Sequence, residues 1–121
     1  MTAVTYRFDL PRAAVITAND RIHYQVKAKK TADLRQLGKL RAIAHGCRIG
    51  QPVILRVRIG YPDARRRDRL NLAPTTKALV DGISPYLLGD DSDDRIVEER
   101  WVSEVTRRGC IEIALTFEEA S

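Results

Sequence analysis

The residues from Arg65 to Ile96 read RRRDRLNLAPTTKALVDGISPYLLGDDSDDRI and hold the side chains of this chain best suited to hydrolytic chemistry. Asp68 follows three arginines in a predicted loop, and a loop carboxylate held by a rigid strand is a typical place for a ligand. Lys77 and Asp81 lie four apart on a predicted helix and share a face. Residues 90–94 read DDSDD. Four carboxylates in five positions repel each other unless solvent or a cation screens them, and a hard cation such as Mg²⁺ relieves this through oxygen ligands. Each feature also has a plain reading: Asp68 as a solvated partner of a neighbouring arginine, Lys77 and Asp81 as an ion pair worth ~0.3–0.5 kcal/mol, DDSDD as a solvated turn. Their combination is more specific. Acids at a strand end, on the next helix and in the following turn can converge on one point, as phosphodiester hydrolysis requires. There, metal ions clamp the scissile phosphate and activate water, a lysine neutralises charge or orients the water, and arginines hold backbone phosphates.

Other chemistries fit less well. His23 and His45 are far in sequence from each other and from the acids, so a histidine–metal finger nuclease lacks its residues. Pro62-Asp63 begins like a PD-(D/E)xK site, but no acid stands two before Lys77. The acidic run is not a calcium EF-hand, because neither Asp90 nor Asp91 is followed by Gly at the sixth position or Glu at the twelfth. There is no GxxxxGK[ST], no recognisable serine or cysteine nucleophile motif, and no zinc spacing around Cys47 or Cys110. No organic cofactor is indicated.

A chain of 121 residues suits one domain, residues 1–121, with a core of its own. The composition, 44% hydrophobic and 31% charged, is that of a globular protein. Two isolated cysteines, no signal-peptide pattern and no long apolar run lead us to expect a cytoplasmic protein with no membrane span. The net charge of +5 conceals a segregation. Residues 1–80 carry 17 Lys and Arg against 5 Asp, whereas residues 81–121 carry 4 Arg against 11 acids. A preference for Arg over Lys (16 against 5) explains the type of cation but not its placement. Such blocks suggest a basic surface for a polyanion beside a separate acidic feature.

The elements that must position these residues read as follows. Residues 4–10 alternate as a first strand stopped by Pro11. Asn19-Asp20 offers caps for a helix over about 21–45, with Leu34, Leu37, Leu40, Ile43 and Ala44 as its apolar stripe, Lys27, Lys29, Lys30, Arg35, Lys39 and Arg41 as its basic side and Gly46 as its stop. Residues 52–61 form the clearest strand, with Val53, Leu55, Val57 and Ile59 on one face and Arg56 and Arg58 on the other. Pro74 opens a short helix ending near residues 82–84. Strands at 96–106 and 110–117 follow, joined by an Arg108-Gly109 hairpin turn. The order β-α-β-α-β-β predicts an α+β domain, a mixed sheet with helices on one face.

At the Arg65–Ile96 segment the chain resembles the RusA-type Holliday-junction resolvases, in particular forms common in phages and prophages of actinobacteria. The matching residues are Arg66-Arg67-Asp68, Asn71-Leu72, Pro74-Thr75, Lys77-Ala78-Leu79, Asp81-Gly82 and Asp90-Asp91, together with NDRIHYQVKAKKT from Asn19. The resemblance covers most of the chain; its specificity lies in the combined order. It implies a homodimeric, Mg²⁺-dependent endonuclease (Mn²⁺ substituting) that cuts four-way DNA junctions in a bacterial host. It makes Asp68 and Asp91 metal ligands, with Asp90 beside them, Lys77 catalytic, and Asp81 a family acid that can join the metal or catalytic set. Lys27, Lys29, Lys30, Arg65, Arg66, Arg67, Arg69 and Asn71 become the candidate DNA contacts. The chain departs from the family at Leu70, where many members carry a second Asp, and in the longer spacing from Asn71 to Lys77.

Leu70 motivates an alternative of another class: a catalytically weak or inactive branched-DNA binding protein on the same fold. An interaction protein with no nucleic-acid role is a third reading, but leaves the charge segregation unexplained. Trp101, beside Val97 and Val105, reads as core or dimer interface. Tyr86 and Leu87-Leu88 read as packing before a DNA wedge, and His23-Tyr24 as a further possible DNA contact.

Overall fold

The computed structural model of the chain describes residues 2–68, 70–89 and 93–120, with Asp93 described by its backbone alone. The element order is β1 (Ala3–Leu10), a 3₁₀ turn at Arg12–Ala14, α1 (Tyr24–His45), β2 (Val53–Tyr61), α2 (Ala73–Leu87), a 3₁₀ turn at Asp93–Arg95, β3 (Ile96–Val105) and β4 (Ile111–Glu119). The fold is α+β with a mixed four-stranded sheet and two helices, as the alternation of patterns predicts. The chain divides into two compact units, each made of separated segments. The sheet unit comprises Met1–Ala13, Ile49–Arg69 and Ser92–Ser121; the helical unit comprises Ala14–Arg48 and Leu70–Asp91. No helix among the described residues is long and apolar enough to cross a membrane.

In the sheet unit the strands run in the order β1-β4-β2-β3. β4 is antiparallel to both β1 and β2, while β3 is parallel to β2. The predicted β3–β4 hairpin is therefore wrong, because the two strands are not neighbours. Patterning explains why. In β4, Ile111, Ile113, Leu115 and Phe117 are all buried, which suits a strand hydrogen-bonded on both sides. β3 carries Glu98, Glu99, Arg100 and Glu104, all exposed, which suits an edge. The connection at 106–110 instead passes over the end of β2. Thr106 donates its backbone N–H to the Tyr61 carbonyl at 2.8 Å. A Cβ at Gly60 would lie 2.6 Å from Thr106 Cγ2, so a side chain there would have to displace Thr106. Arg107 takes a left-handed φ of 59° in the turn. One face of the sheet buries Val4, Tyr6, Phe8 and Leu10 with the alternate residues of β2 and β4. The other face carries Arg7, Arg56, Arg58, Arg100, Glu104 and Glu118.

In the helical unit α1 and α2 pack through two glycines. A Cβ on Gly38 would strike the backbone of Leu79, and one on Gly82 the backbone of Arg35 and Lys39. The buried stripe of α1 is Leu34, Gly38 and Ala42, one residue per turn. Leu40, Ile43 and Ala44, expected in that stripe, are exposed. The expectation weighted side-chain apolarity, but close backbone approach selects small residues. α2 runs to Leu87 rather than stopping near residues 82–84. Gly82 serves the crossing and not a cap, and Pro85 falls so near the helix end that its missing N–H deprives only the Asp81 carbonyl.

Asp20 does not cap α1; His23 does, accepting the Gln25 N–H on Nδ1 at 3.1 Å. Asp20 instead closes a turn backwards, accepting the Thr17 hydroxyl at 2.6 Å and its N–H at 2.9 Å. These bonds, the hydroxyl's first, hold its carboxyl below the ordinary 3.8, with Lys30 and Lys27 adding a smaller pull. Gly46 ends α1 in the left-handed conformation, φ 71°, as predicted.

Candidate functional site

The arginine loop leaves β2 at Tyr61 and is organised by Asp63. Its carboxylate accepts the Arg65 N–H at 3.0 Å and Arg67 Nη2 at 2.8 Å. Arg67 Nη1 donates to the carbonyls of Asp63 and Arg65, and its guanidinium lies 4.1 Å from the centre of the Tyr61 ring. The Arg67 side chain is only 14% exposed, against 63% for Arg65. Arg67 thus spends its donors and its flat face on folding the loop. The Arg65 N–H first, and Arg67 second, hold the Asp63 carboxyl below its ordinary value, so it stays ionised.

Asp68 comes at the end of this pinned turn with an exposed side chain. It lines a cleft of about 300 Å³ together with Tyr61, Asp63, Arg66, Ser103 and Glu104. Arg66 is exposed and makes no ion pair among the described residues. Sequence reading placed Arg65, Arg66 and Arg67 together as phosphate contacts; the loop divides them into two outward cations and one internal brace. It also missed Asp63, whose only sequence signal is Pro62-Asp63 at a strand end, a turn opener whose side chain commonly bonds the backbone two residues on.

In the helical unit Lys77 and Asp81 meet as their spacing predicts, Nζ to Oδ1 at 3.4 Å. Arg35 of α1 reaches the other oxygen of Asp81 at 3.7 Å. The Asp81 side chain is 26% exposed, whereas Lys77 and Arg35 are 67% and 59% exposed. A carboxylate with a cation on each oxygen is largely neutralised. This favours Asp81 as a group that orients Lys77 over Asp81 as a metal ligand. Arg35 carries no local signal of this role; the glycine crossing delivers it, since the α1 backbone at Arg35 lies against Gly82.

The start of α2 is tied to the segment before α1. Thr75 is fully buried, and its hydroxyl accepts the Ile16 N–H at 2.8 Å and donates to the Ile16 carbonyl at 2.7 Å. The Asn71 carbonyl accepts the Ala18 N–H at 2.9 Å. Lys30 Nζ donates to the Val15 carbonyl at 3.3 Å. Lys30 is thus partly a strut for this segment. Lys27 and Lys29 are exposed on α1, Lys29 paired to Asp33 at 3.1 Å. Tyr86 lies under Lys39, 5.9 Å from Nζ to the ring centre, and Leu87 and Leu88 are buried, in keeping with packing. His23 and Tyr24 stack at 4.6 Å, with Tyr24 73% exposed.

Asp90, Asp91 and Arg69 lie outside the described residues. Asp68 belongs to the sheet unit, and Lys77 and Asp81 to the helical unit. Within the helical unit, among the described residues, Lys77 and Asp81 are in contact. No group of three His, Cys, Asp or Glu side chains poised to hold a metal occurs among the described residues. The predicted donors are all carboxylate oxygens, a set that suits Mg²⁺ or Mn²⁺ rather than zinc. Leu70, where a further carboxylate is expected, is 49% exposed. Neither protein-family models nor curated proteins match the chain.

Proposed function

We propose that the chain is a Mg²⁺-dependent, structure-selective DNA endonuclease that resolves four-way junctions as a homodimer. The observation that carries this reading is the arginine loop. It holds Asp68 exposed in a cleft, next to the braced Arg67 and just after the outward Arg65 and Arg66, on a turn fixed by Asp63, Arg67 and Tyr61. A rigid turn presenting one carboxylate among cations suits a phosphodiester backbone. On this reading the carboxylates that the resemblance assigns to Mg²⁺ are those of Asp68, Asp90 and Asp91, and the ion when bound would activate water and offset charge on the scissile phosphate. Arg65, Arg66, Arg69, Lys27 and Lys29 grip flanking phosphates, so affinity falls steeply with salt. Lys77, oriented by Asp81, neutralises the phosphate oxygens or holds the attacking water. Two sites in a twofold dimer suit a substrate needing paired cuts.

The direct experiment is nicking of end-labelled four-way junctions by purified protein with Mg²⁺ or Mn²⁺. The wild type cuts, and Asp91→Asn and Asp68→Asn bind but do not cut. Tight junction binding with no cleavage in Mn²⁺ overturns the enzyme reading.

The exposed Leu70 and the doubly paired Asp81 support a second reading, a branched-DNA binder without catalysis. A metal titration separates the two. A binder shows no Mg²⁺ effect beyond ionic screening, whereas the nuclease requires the ion at low concentration.

A further inference from the structure

The outer edge of β3 carries the hydrogen-bonding groups, apolar side chains and charge pattern of a strand made to pair with itself. Thr106 donates to the Tyr61 carbonyl, and Tyr61 stands in register with Val105. The even-numbered residues of β3 from Glu98 onward therefore turn their N–H and C=O groups toward β2. Those of Glu99, Trp101, Ser103 and Val105 turn outward, along an edge on which the sheet has no further strand among the described residues. Within the sheet unit, among the described residues, the exposed large aliphatic side chains are Val97 (58%), Val102 (55%) and Val105 (44%), all on β3, with Trp101 partly buried. The opposite edge, β1, alternates buried apolar residues with exposed Ala3, Thr5, Arg7 and Asp9. Among the described residues of the sheet unit, β3 is the strand that presents both an open ladder and unburied apolar surface, the combination that invites strand addition.

The side chains select the occupant. Arg100 and Glu104 lie two residues on either side of Val102, on the same face of the strand. We infer that β3 pairs antiparallel with β3 of a second copy about a twofold axis through Val102. Arg100 then faces the second copy's Glu104, and Glu104 the second copy's Arg100. Trp101 and Ser103 face each other as hydrogen-bonded pairs, large against small. Val102 meets its own copy at a non-hydrogen-bonded position, where Cβ atoms approach to ~4.5–5.5 Å. Neighbouring registers of the same hydrogen-bond parity are worse. An axis through Trp101 sets Glu98 against Glu104, one through Arg100 sets two guanidinium groups together, and one through Ser103 sets Val102 against Glu104. The pairs that Arg100 and Glu104 now make, with Glu98 at 2.8 Å and Arg58 at 3.2 Å, are exposed surface contacts that exchange at little cost.

This inference rests on the homodimer of the proposed function and adds the edge that the two copies share. Val102→Cys in the full chain, treated with a thiol oxidant, is run on a non-reducing gel beside the wild type, whose Cys47 and Cys110 give the background, and beside Glu104→Cys. The expected result is a dimer band for Val102→Cys well above both. By light scattering, the wild type has twice the 13.7 kDa chain mass. Arg100→Glu weakens the dimer about tenfold or more, and Arg100→Glu/Glu104→Arg restores it. A monomeric wild type, or a dimer that traps at residue 102 no better than the background, overturns the inference. Junction cleavage is scored separately. A dimer that traps but does not cut keeps the shared edge and loses the nuclease; a dimer that cuts but does not trap does the reverse.

Discussion

Gly82 is the position at which one methyl group tests the packing of the two helices. A Cβ built there lies 2.9 Å from the Arg35 carbonyl carbon and 3.0 Å from the Lys39 nitrogen, and nearer still to the Arg35 carbonyl oxygen. Ordinary contact begins near 3.4 Å, so the α1 backbone must retreat by about half an ångström or more. Those atoms belong to a hydrogen-bonded helix and cannot swing aside as a side-chain tip would. Overpacking of this kind costs ~1–3 kcal/mol, and the rigid backbone places Gly82→Ala at the upper end. The better helix propensity of alanine returns ~1 kcal/mol. The expected net loss is ~2 kcal/mol, a shift of roughly 30-fold in the unfolding equilibrium. For a chain this size the melting temperature falls by ~8 °C. Urea unfolding followed by far-ultraviolet circular dichroism measures it, with Gly50→Ala as the control, since nothing lies within 4 Å of a Cβ at Gly50. That control is neutral or stabilising by up to ~1 kcal/mol, through loss of unfolded-state freedom. If Gly82→Ala unfolds at the same urea concentration as Gly50→Ala, with an unchanged slope, the glycine crossing does not set the helix spacing. The same retreat moves Arg35 from Asp81, so a junction-cleaving wild type would lose rate in Gly82→Ala even where it remains folded.

Three further outcomes follow from the bonds described. Thr75→Val removes a buried hydroxyl that satisfies both the N–H and the C=O of Ile16, at a cost of ~2–4 kcal/mol in chemical denaturation, while Thr75→Ser keeps most of the stability. Arg67→Ala frees the arginine loop without emptying the core, so trypsin cleaves after Arg65 and Arg66 several-fold faster while the far-ultraviolet spectrum is unchanged. Asp20 has a folded pKa below its ordinary 3.8, so its contribution to stability is full above that value and lost as pH falls through the folded value. Asp20→Asn is accordingly less stable than wild type at pH 7, and the gap between their urea midpoints narrows below pH ~4; a gap that widens on acidification contradicts the Thr17 bonds.

Local pattern made the elements legible but not their arrangement. Strict alternation in VILRVRI and CIEIALTF identified β2 and β4, and Gly46 marked the end of α1, because period and cap chemistry act over a few residues. The order of the strands depends on which pairs bury most, and a short Arg-Arg-Gly connection suggests a hairpin when its neighbours are considered alone. The helix stripe failed for a similar reason: Gly38 looks like a defect in an apolar face until the second helix supplies the backbone it must clear. The candidate site divides the same way. The Lys77–Asp81 pair follows from spacing on one helix. Arg35 on Asp81 and Arg67 on Tyr61 depend on contacts that spacing does not encode, and Asp63 was overshadowed by the more conspicuous acids after it.

The strand order has a consequence for how the chain is made. Among the described strands β1 pairs with β4, and β4 is also the strand that joins β1 to β2. During translation, residues 3–10 leave the ribosome about a hundred residues ahead of the strand they pair with. Until residues 111–119 emerge, β1 remains a lone amphipathic segment, and the apolar face of β2 lacks its central partner. The sheet therefore closes late and in one step, through β4. A stalled or shortened chain lacking those residues keeps β1, β2 and β3 but has no continuous sheet.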